Sequence, residues 1–323
     1  MTMLYCIITY NPYENDTFNF IKTNYKLIRE HDMDILIIDN STSHYSTRLL
    51  KNLKQAMIYK TSINIHYPGS LYLILKFLSF NSKYENIIIA NDDILLNKKF
   101  TEFIDTARKI DYALINGLLM QPNGKIYSLG GAITQSGYSI GICYSSTRDK
   151  CNTDTAFPVS YPDGALFLIK REAIKTIIND HSINILKLLY PYIDDTILGT
   201  IAWKNNLKVG AQPIQIATHY VSLSYGKADI IVTKPKRSYL LGVVRGFQLS
   251  SFKNTNNIIY LFRDILRNIY NTKSYLNGFI KGIKIPRFKC TRIKMPIAKD
   301  NLYTIMGIVK PGDLTFQELD VCL

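Results

Sequence analysis

Two adjacent aspartates, Asp92 and Asp93, follow a short run of apolar residues. The run, residues 87–90, has the length and the branched side chains of a buried β-strand. Asn91 lies between this run and the two aspartates, so an amide and two carboxylates lie at the carboxyl end of that strand. Ligands bind at this edge of open α/β sheets, and such oxygen atoms suit a hard divalent cation. The stretch therefore predicts a ligand or cation site.

Three other polar clusters occupy comparable positions. The sequence "TYN" at 9–11 ends a first predicted strand, and "DNS" at 39–41 ends a second. The sequence "IDDT" at 193–196 opens a predicted helix. Because the carboxyl ends of parallel strands meet at one edge of a sheet, we expect the first two clusters to lie beside "NDD".

Short apolar runs alternate with helical patterns up to about residue 120. This alternation predicts βαβ units and a parallel sheet with right-handed crossovers. Gly- and Tyr-rich segments after residue 114 predict hairpins and loops. The predicted strands are 4–9, 34–38, 56–59 and 87–90, and the predicted helices lie near 18–28, 45–53, 71–78, 172–179 and 196–205.

Length and charge predict two parts. The 323 residues, 47% hydrophobic, are enough for one large α/β domain with an appendage. The net charge of +14 is concentrated in residues 227–300, which hold 16 Lys or Arg and three acids. Such asymmetry predicts an anionic partner for this segment. We therefore expect an α/β domain at 1–226 and a basic, mainly helical C-terminal extension at 227–323.

The cysteines and the apolar runs bear on location. Five scattered cysteines without a C-x-x-C spacing predict neither a disulfide framework nor a zinc site, hence a reducing, cytoplasmic compartment. A bridge between Cys143 and Cys151 is the alternative. We expect no signal peptide, because residues 4–9 have the pattern of a strand, and no membrane span, because no apolar run reaches about 18 residues.

The order of the motifs resembles that of family 2 glycosyltransferases with the GT-A fold, nearest to rhamnosyltransferase-like and archaeal-type members. The motifs run "TYN", "DNS", "NDD", "PDGALFLIKREAI", "YIDDTILGTIAWKNNLKVG" and "THYVSLSYG" over residues 3–226. The resemblance implies a Rossmann-like nucleotide-binding sheet with helices on both faces. It also implies inverting transfer of a sugar from a nucleotide-diphosphate donor to a hydroxyl of a glycan, a lipid-linked intermediate or a protein.

The resemblance implies a role for each site residue. Asp93 and His219 would bind Mg²⁺ or Mn²⁺, which neutralises the departing diphosphate. Asp195, with Asp194 as second choice, would take the proton of the acceptor hydroxyl. Asn91 stands where the D-x-D motif has its first Asp, which weakens the metal site. The donor-binding residues would be Thr9, Tyr10, Asn11, Asp39, Asn64, Asn91 and Asp92.

Each position has a plain structural alternative. Acids in the first turn of a helix, such as Asp194 and Asp195, are favoured by the helix macrodipole alone. A lone histidine such as His219 is more often a core or loop residue. The acids of "NDD" could instead be helix-capping or loop carboxylates, and the segment that includes Asn64 could simply form a plain turn at 68–69.

The basic extension allows two interpretations, and the function has two rivals. An apolar stripe over 258–269 with flanking Arg and Lys predicts an interfacial helix on the inner face of the membrane, or else a helical cap on the domain. A sugar nucleotidyltransferase is disfavoured, because residues 9–18 hold neither Gly nor a basic residue. A nucleic-acid-binding protein without catalysis is disfavoured, because the 226 residues before the extension are nearly neutral.

Overall fold

The computed structural model describes most of the chain as an α/β molecule with two sheets. The described residues are 2–10, 16–42, 48, 50–81, 83–151, 153–187, 193–221, 234–252, 264–266, 268–285, 290–305 and 308–323.

The strands are short and mostly buried. They are β1 (Met3–Thr9), β2 (Asp34–Asp39), β3 (Ala56–Lys60), β4 (Asn86–Asn91), β5 (Ile94–Leu96), β6 (Leu114–Met120), β7 (Ile126–Ser128), β8 (Gly131–Thr134), β9 (Ser139–Gly141), β10 (Phe157–Pro158), β11 (Leu166–Lys170), β12 (Val209–His219), β13 (Cys290–Ala298) and β14 (Leu314–Cys322).

The helices connect these strands and follow the predicted apolar spacings. They are α1 (Asp16–Glu30), α2 (His66–Phe80), α3 (Phe100–Lys109), α4 (Arg148–Cys151), α5 (Arg171–Asn179), α6 (Asp194–Lys204), α7 (Lys234–Ser251), α8 (Thr272–Ile283) and α9 (Leu302–Ile305), with 3₁₀ turns at His181–Lys187, Ile269–Asn271 and Pro311–Asp313. The helix predicted near 45–53 lies partly outside the described residues, since 45–47 and 49 are not among them.

The larger sheet has the order β10-β12-β6-β11-β4-β1-β2-β3, with β5 paired to β12 and β7 to β6. Strands β1, β2, β3 and β4 are parallel, as predicted. Thr9 pairs with Asp39, and Ile8 pairs with Asn91, so the three polar strand ends are neighbours at one edge. The sequence did not reveal that β11 is antiparallel to both β4 and β6.

The sheet is covered on both faces, as strands buried on both sides require. Along β1, alternate side chains belong to two separate core clusters, with Leu4 and Cys6 in one and Tyr5 and Ile7 in the other. Because both faces are buried, β1 is apolar at nearly every position and does not alternate.

The smaller sheet has the order β14-β13-β8-β9 and joins the middle of the chain to its C-terminal part. The antiparallel pair β13 and β14 lies in the segment that the sequence pattern predicted to be mainly helical. Ile297 of β13 pairs in parallel with Ile133 of β8, so this pair continues a sheet that begins before residue 226. The predicted apolar stripe at 258–269 lies mostly outside the described residues.

Two disulfides correct the prediction from the cysteines. Cys143 bonds to Cys151, which was the alternative, and Cys290 bonds to Cys322, while Cys6 is free and buried. The second pair arises because Cys290 and Cys322 are opposite each other in the register of β13 and β14. The expectation of no disulfide framework is therefore wrong, and the cysteines no longer support a reducing compartment.

None of the helices in the described ranges has the length and apolar character needed to cross a bilayer.

Candidate functional site

Asp92 fixes the ends of two neighbouring strands to each other. Its Oδ2 accepts a hydrogen bond from the Thr9 hydroxyl at 2.6 Å and one from the Tyr10 backbone N–H at 3.3 Å. Asn91, at the end of β4, donates its backbone N–H to the Ala165 carbonyl at 2.9 Å. Asp92 and Thr9 are both buried. These contacts bring together four of the predicted donor-binding positions and give Asp92 a role in shaping the edge.

Asp93 pairs with His219. The His219 Nε2 and the Asp93 Oδ1 are 2.9 Å apart, although 126 residues separate them in sequence. The backbone supports this contact, because the Tyr220 N–H donates to the Asp93 carbonyl at 2.9 Å. Both side chains are buried. The predicted metal-binding pair is therefore in contact.

The pair fits a divalent cation held jointly with a substrate. A carboxylate oxygen and an imidazole nitrogen are both donors for Mn²⁺. Among the described residues the buried His219 Nδ1 has no hydrogen-bond partner, so within that part of the chain this ring is not fully satisfied as a core histidine would be. Within the described ranges no group of three or more His, Cys, Asp or Glu side chains could hold a metal by itself. Phosphate oxygens usually complete such sites in enzymes that bind nucleotides.

Asp39 and Asn64 are engaged in local structure. The Asp39 Oδ1 accepts the Ser41 backbone N–H at 2.9 Å, and its Oδ2 lies 3.6 Å from the Lys60 Nζ. The Asn64 Oδ1 accepts the His66 backbone N–H at 2.8 Å, a turn that leads into α2. Asn64 therefore lies in a turn before α2, while residues 68–69, where the alternative placed a plain turn, belong to the helix itself. Asn11 lies outside the described residues.

The two acids of "IDDT" begin α6, as predicted. Asp194 is buried, and Asp195 is half-buried. Burial, followed by the charges of Asp194 and Asp163, raises the pKa of the Asp195 carboxyl well above its ordinary value. Hydrogen bonds from the backbone N–H groups of Thr196 and Gly164 oppose this shift. A carboxyl with a raised pKa is suited to accept a proton near neutral pH.

Asp163 is a site residue that sequence reasoning missed. Its backbone is held by the buried Asn116 of β6, whose Oδ1 accepts the Asp163 N–H at 2.8 Å and whose Nδ2 donates to the Leu166 carbonyl at 2.9 Å. The Asp163 Oδ1 accepts the Ala165 N–H at 2.8 Å. The dipeptide "DG" is an ordinary turn signal, which conceals a carboxylate placed beside Asp195.

Tyr127 of β7 lies between the two groups of acids and was also missed. Its ring packs edge-on against His219, with the ring centroids 4.2 Å apart. Burial, followed by the charges of Asp163, Asp93 and Asp195, raises the pKa of the Tyr127 hydroxyl well above its ordinary value. Tyr127 therefore contacts His219 and interacts electrostatically with both Asp93 and Asp195. The Asp93–His219 pair and the candidate base thus lie around one site. With 23 tyrosines in the chain, no sequence signal marked this one.

Comparisons with known proteins agree on architecture and show little sequence similarity. No protein-family model matches the chain, and no curated protein matches it significantly in sequence. Among solved structures, GalNAc-T7 with UDP, GalNAc and Mn²⁺ superposes with a TM-score of 0.54 at 12% identity, covering 83% of this chain and 55% of GalNAc-T7. The chain thus spans little more than half the length of that neighbour.

Two further solved structures are more distant. S. aureus TarS 1–349 with UDP-GlcNAc has a TM-score of 0.48 at 13% identity, covering 88% of this chain and 82% of TarS. The mannosyltransferase PcManGT from Pyrobaculum calidifontis, with GDP-Man and Mn²⁺, has a TM-score of 0.48 at 12% identity, covering 88% and 76%.

At such low identity the likeness to GalNAc-T7 concerns the fold. In the central sheet, strands β1 to β4 are parallel and their polar ends meet at one edge. This arrangement and the likeness to GalNAc-T7 confirm the fold that the resemblance implied. The chain has the GT-A glycosyltransferase fold.

Proposed function

We propose that the protein is an inverting glycosyltransferase, which moves a hexose or deoxyhexose from a nucleotide-diphosphate donor to a hydroxyl of a glycan, a lipid-linked intermediate or a protein. One observation carries the proposal. The pair of Asp93 and His219 and the raised-pKa carboxyl of Asp195 lie around the same tyrosine, Tyr127. A site for a leaving diphosphate and a base for an acceptor are therefore adjacent on a fold that glycosyltransferases use.

Asp195 supplies the base. An acceptor hydroxyl is a poor nucleophile at neutral pH until a positioned carboxylate takes its proton, an effect worth roughly 10²- to 10⁴-fold in rate. The acceptor oxygen forms its bond to the anomeric carbon as the bond from that carbon to the diphosphate breaks. Attack opposite the leaving group inverts the anomeric configuration, and the proton remains on Asp195.

Asp93 and His219 would hold Mg²⁺ or Mn²⁺. When bound, the cation would neutralise the negative charge that develops on the diphosphate. The structure of GalNAc-T7 with UDP and Mn²⁺ supports a donor of this kind. The nucleoside would lie along the ends of β1 and β2, where Thr9, Tyr10 and Asp39 cluster.

Calorimetric titration with UDP, GDP and dTDP tests the donor site, with Mn²⁺ and with chelator. We expect metal-dependent binding of one nucleotide, lost in Asp93→Ala because the cation then keeps a single protein ligand. Asp105→Ala is the matched control, since Asp105 is an exposed acid on α3 that pairs with its neighbour Arg108. Folded protein that binds no nucleotide, or an Asp93→Ala variant that binds normally, would contradict the proposal.

For the basic extension we propose an anionic membrane surface as partner. Along α8, Leu276, Ile280 and Ile283 are 39%, 52% and 41% exposed and form one stripe at helical spacing. Lys273, Lys281 and Lys284 are exposed on the adjoining face. The sequence has no Asp or Glu from 265 to 299, so the positive charge there is not offset locally. An apolar stripe beside lysines is the pattern of a helix that lies in a bilayer interface, where each lysine contributes roughly 1 kcal/mol.

Sedimentation with liposomes tests this partner. We expect binding to vesicles that contain phosphatidylglycerol, weak binding to phosphatidylcholine, and loss of binding in Leu276→Glu/Ile280→Glu. Ile63→Glu is the control, because Ile63 is 70% exposed but lies outside the extension. Equal binding by wild type and double variant would overturn the assignment, and salt-dependent binding to DNA in place of vesicles would favour the nucleic-acid rival.

A further inference from the structure

A series of side-chain hydrogen bonds connects the basic extension to the candidate base. The Gln248 Nε2, on α7, donates to the Ser139 Oγ of β9 at 2.7 Å. The hydroxyls of Ser139 and Thr196 are 2.9 Å apart. Thr196 donates to the Asp195 Oδ1 through its backbone N–H at 2.6 Å and more weakly through its hydroxyl at 3.4 Å. Four residues from three distant parts of the sequence thus form one series that ends on Asp195.

Donor and acceptor chemistry allows the series to run from Gln248 toward Asp195. An amide N–H can only donate, so the Ser139 hydroxyl oxygen accepts from Gln248. The Ser139 proton is then available to Thr196, and the Thr196 proton is available to the Asp195 carboxylate. Each hydroxyl in such a series polarises the next, so the hydroxyl donation that reaches Asp195 depends on Gln248, Ser139 and Thr196.

Arg245 determines which end of the Gln248 amide faces Ser139. Its guanidinium donates to the Gln248 Oε1 and also pairs with the carboxylate of Asp264. Arginine has no acceptor, so the oxygen of the amide must face Arg245 and the nitrogen must face Ser139. Gln248 and Asp264 are buried, and the Arg245 guanidinium lies 3.3 Å above the Tyr138 ring centroid. The amide therefore has one orientation available.

We propose that Gln248 is a positioning residue for the general base: through Ser139 and Thr196 it orients the Asp195 carboxylate. The assignment rests on the proposed function as far as the role of Asp195 is concerned. It makes α7 of the extension a part of the active site, a role beyond membrane attachment.

The proposal predicts a direction for the pKa of Asp195. Among the described residues, the ionisable groups that interact with Asp195 include the acids Asp194 and Asp163 and the phenols Tyr67, Tyr127 and Tyr161. None of these groups is positively charged, so the hydrogen bonds donated to Asp195 do much to favour its ionised form. Losing the donation from Gln248 should raise the pKa of Asp195 further.

The experiment measures the pKa of the Asp195 carboxyl directly, by ¹³C NMR titration of wild type, Gln248→Met and Ser139→Ala. Methionine keeps the length of glutamine and removes its donor. Ser250→Ala is the control, because Ser250 is on the same helix and its hydroxyl donates to carbonyls within that helix. We expect a higher pKa in Gln248→Met and Ser139→Ala and no change in Ser250→Ala.

Kinetics give an independent readout. In both Gln248→Met and Ser139→Ala we expect kcat to fall about fivefold, which corresponds to roughly one hydrogen bond. The acidic limb of the profile of kcat against pH should move to higher pH. The KM for the donor should be unchanged. An Asp195 pKa equal to that of wild type in both folded variants would overturn the proposal. Absence of any transfer by wild type, with the NMR shifts present, would instead refute the proposed function and leave the positioning intact.

Discussion

At the scale of single residues, the site concentrates negative charge where burial makes it costly. Asp163, Asp194 and Asp195 come from a loop and a helix start, and no cation is prominent among the groups that shift the Asp195 pKa. A raised folded-state pKa means that ionised Asp195 is destabilising relative to the unfolded chain. The stability lost on ionisation is what makes this carboxylate a stronger base.

Replacing the base separates catalysis from stability. In Asp195→Asn we expect the rate of transfer to fall roughly 10²- to 10⁴-fold. Wild type loses stability as pH rises from the unfolded pKa of Asp195 through its raised folded pKa. The Asp195→Asn variant does not lose this stability, because its amide does not ionise. The melting temperature of the variant should therefore exceed that of wild type at pH 8 by more than at pH 4. Thermal melts at the two pH values check this, and a variant less stable at pH 8 than at pH 4, relative to wild type, would contradict it.

Removing a neighbouring charge should move the pH profile. In Asp163→Asn the Oδ1 that accepts the Ala165 N–H is kept, while one of the charges that raises the Asp195 pKa is lost. The acidic limb of kcat against pH should therefore shift to lower pH. Asp149→Asn, an exposed acid on α4, is the control and should leave the limb in place. A limb unmoved in both variants would mean that another group is the base.

At the scale of elements, helices α7 and α8 of the extension pack through glycines. A Cβ at Gly242 or Gly246 of α7 would lie 2.0 Å from a carbonyl oxygen of α8. The approach is reciprocal, because a Cβ at Gly278 of α8 would lie 1.9 Å from the Tyr239 carbonyl oxygen. The two backbones are thus as close as the absence of side chains allows. This contact places Gln248 and the exposed stripe of α8 on one rigid pair.

A methyl group at this contact should separate the helices. We expect Gly246→Ala to destabilise the protein by about 1–3 kcal/mol, as overpacking does, and to weaken liposome binding. Gly312→Ala is the matched control, since nothing lies within 4 Å of a Cβ there. Urea unfolding of both variants measures the difference, and equal midpoints would refute the close packing.

At the scale of the whole molecule, the C-terminal strands of the chain complete a sheet that begins in its middle. Strands β13 and β14 extend the sheet of β8 and β9, and Phe316 of β14 packs edge-on against Trp203 of α6. The Cys290–Cys322 bridge closes this hairpin. The last strands of the chain therefore support α6, the helix that begins with the candidate base.

The two bridges should contribute unequally. In the chain-entropy account a disulfide stabilises more when it closes a longer loop, and the separations here are 32 and 8 residues. We expect Cys290→Ser/Cys322→Ser to lose about 1 kcal/mol more stability than Cys143→Ser/Cys151→Ser. Chemical denaturation without reductant compares the pairs, and a greater loss in the 143–151 variant would contradict the expectation.

The sequence by itself determined the parallel half of the sheet and the positions of its polar ends. Apolar runs of strand length and helical spacings are local patterns, so β1, β2, β3 and β4 were predicted to within about two residues. The convergence of Thr9, Asp39 and Asn91 followed, because parallel strands in neighbouring register bring their ends together. The acids of "IDDT" were found because a helix start is also local.

Only the tertiary structure decided which side chains meet across the fold. Asp163 and Tyr127 belong to a turn and a short strand, whose sequences carry no chemical signal, and Gln248 reaches Asp195 through two intervening hydroxyls. The pairing of Cys290 with Cys322 depends on a register that no spacing reveals. Contacts between distant segments depend on how sheets and helices pack against one another, and the periodicity of a single segment does not record that packing.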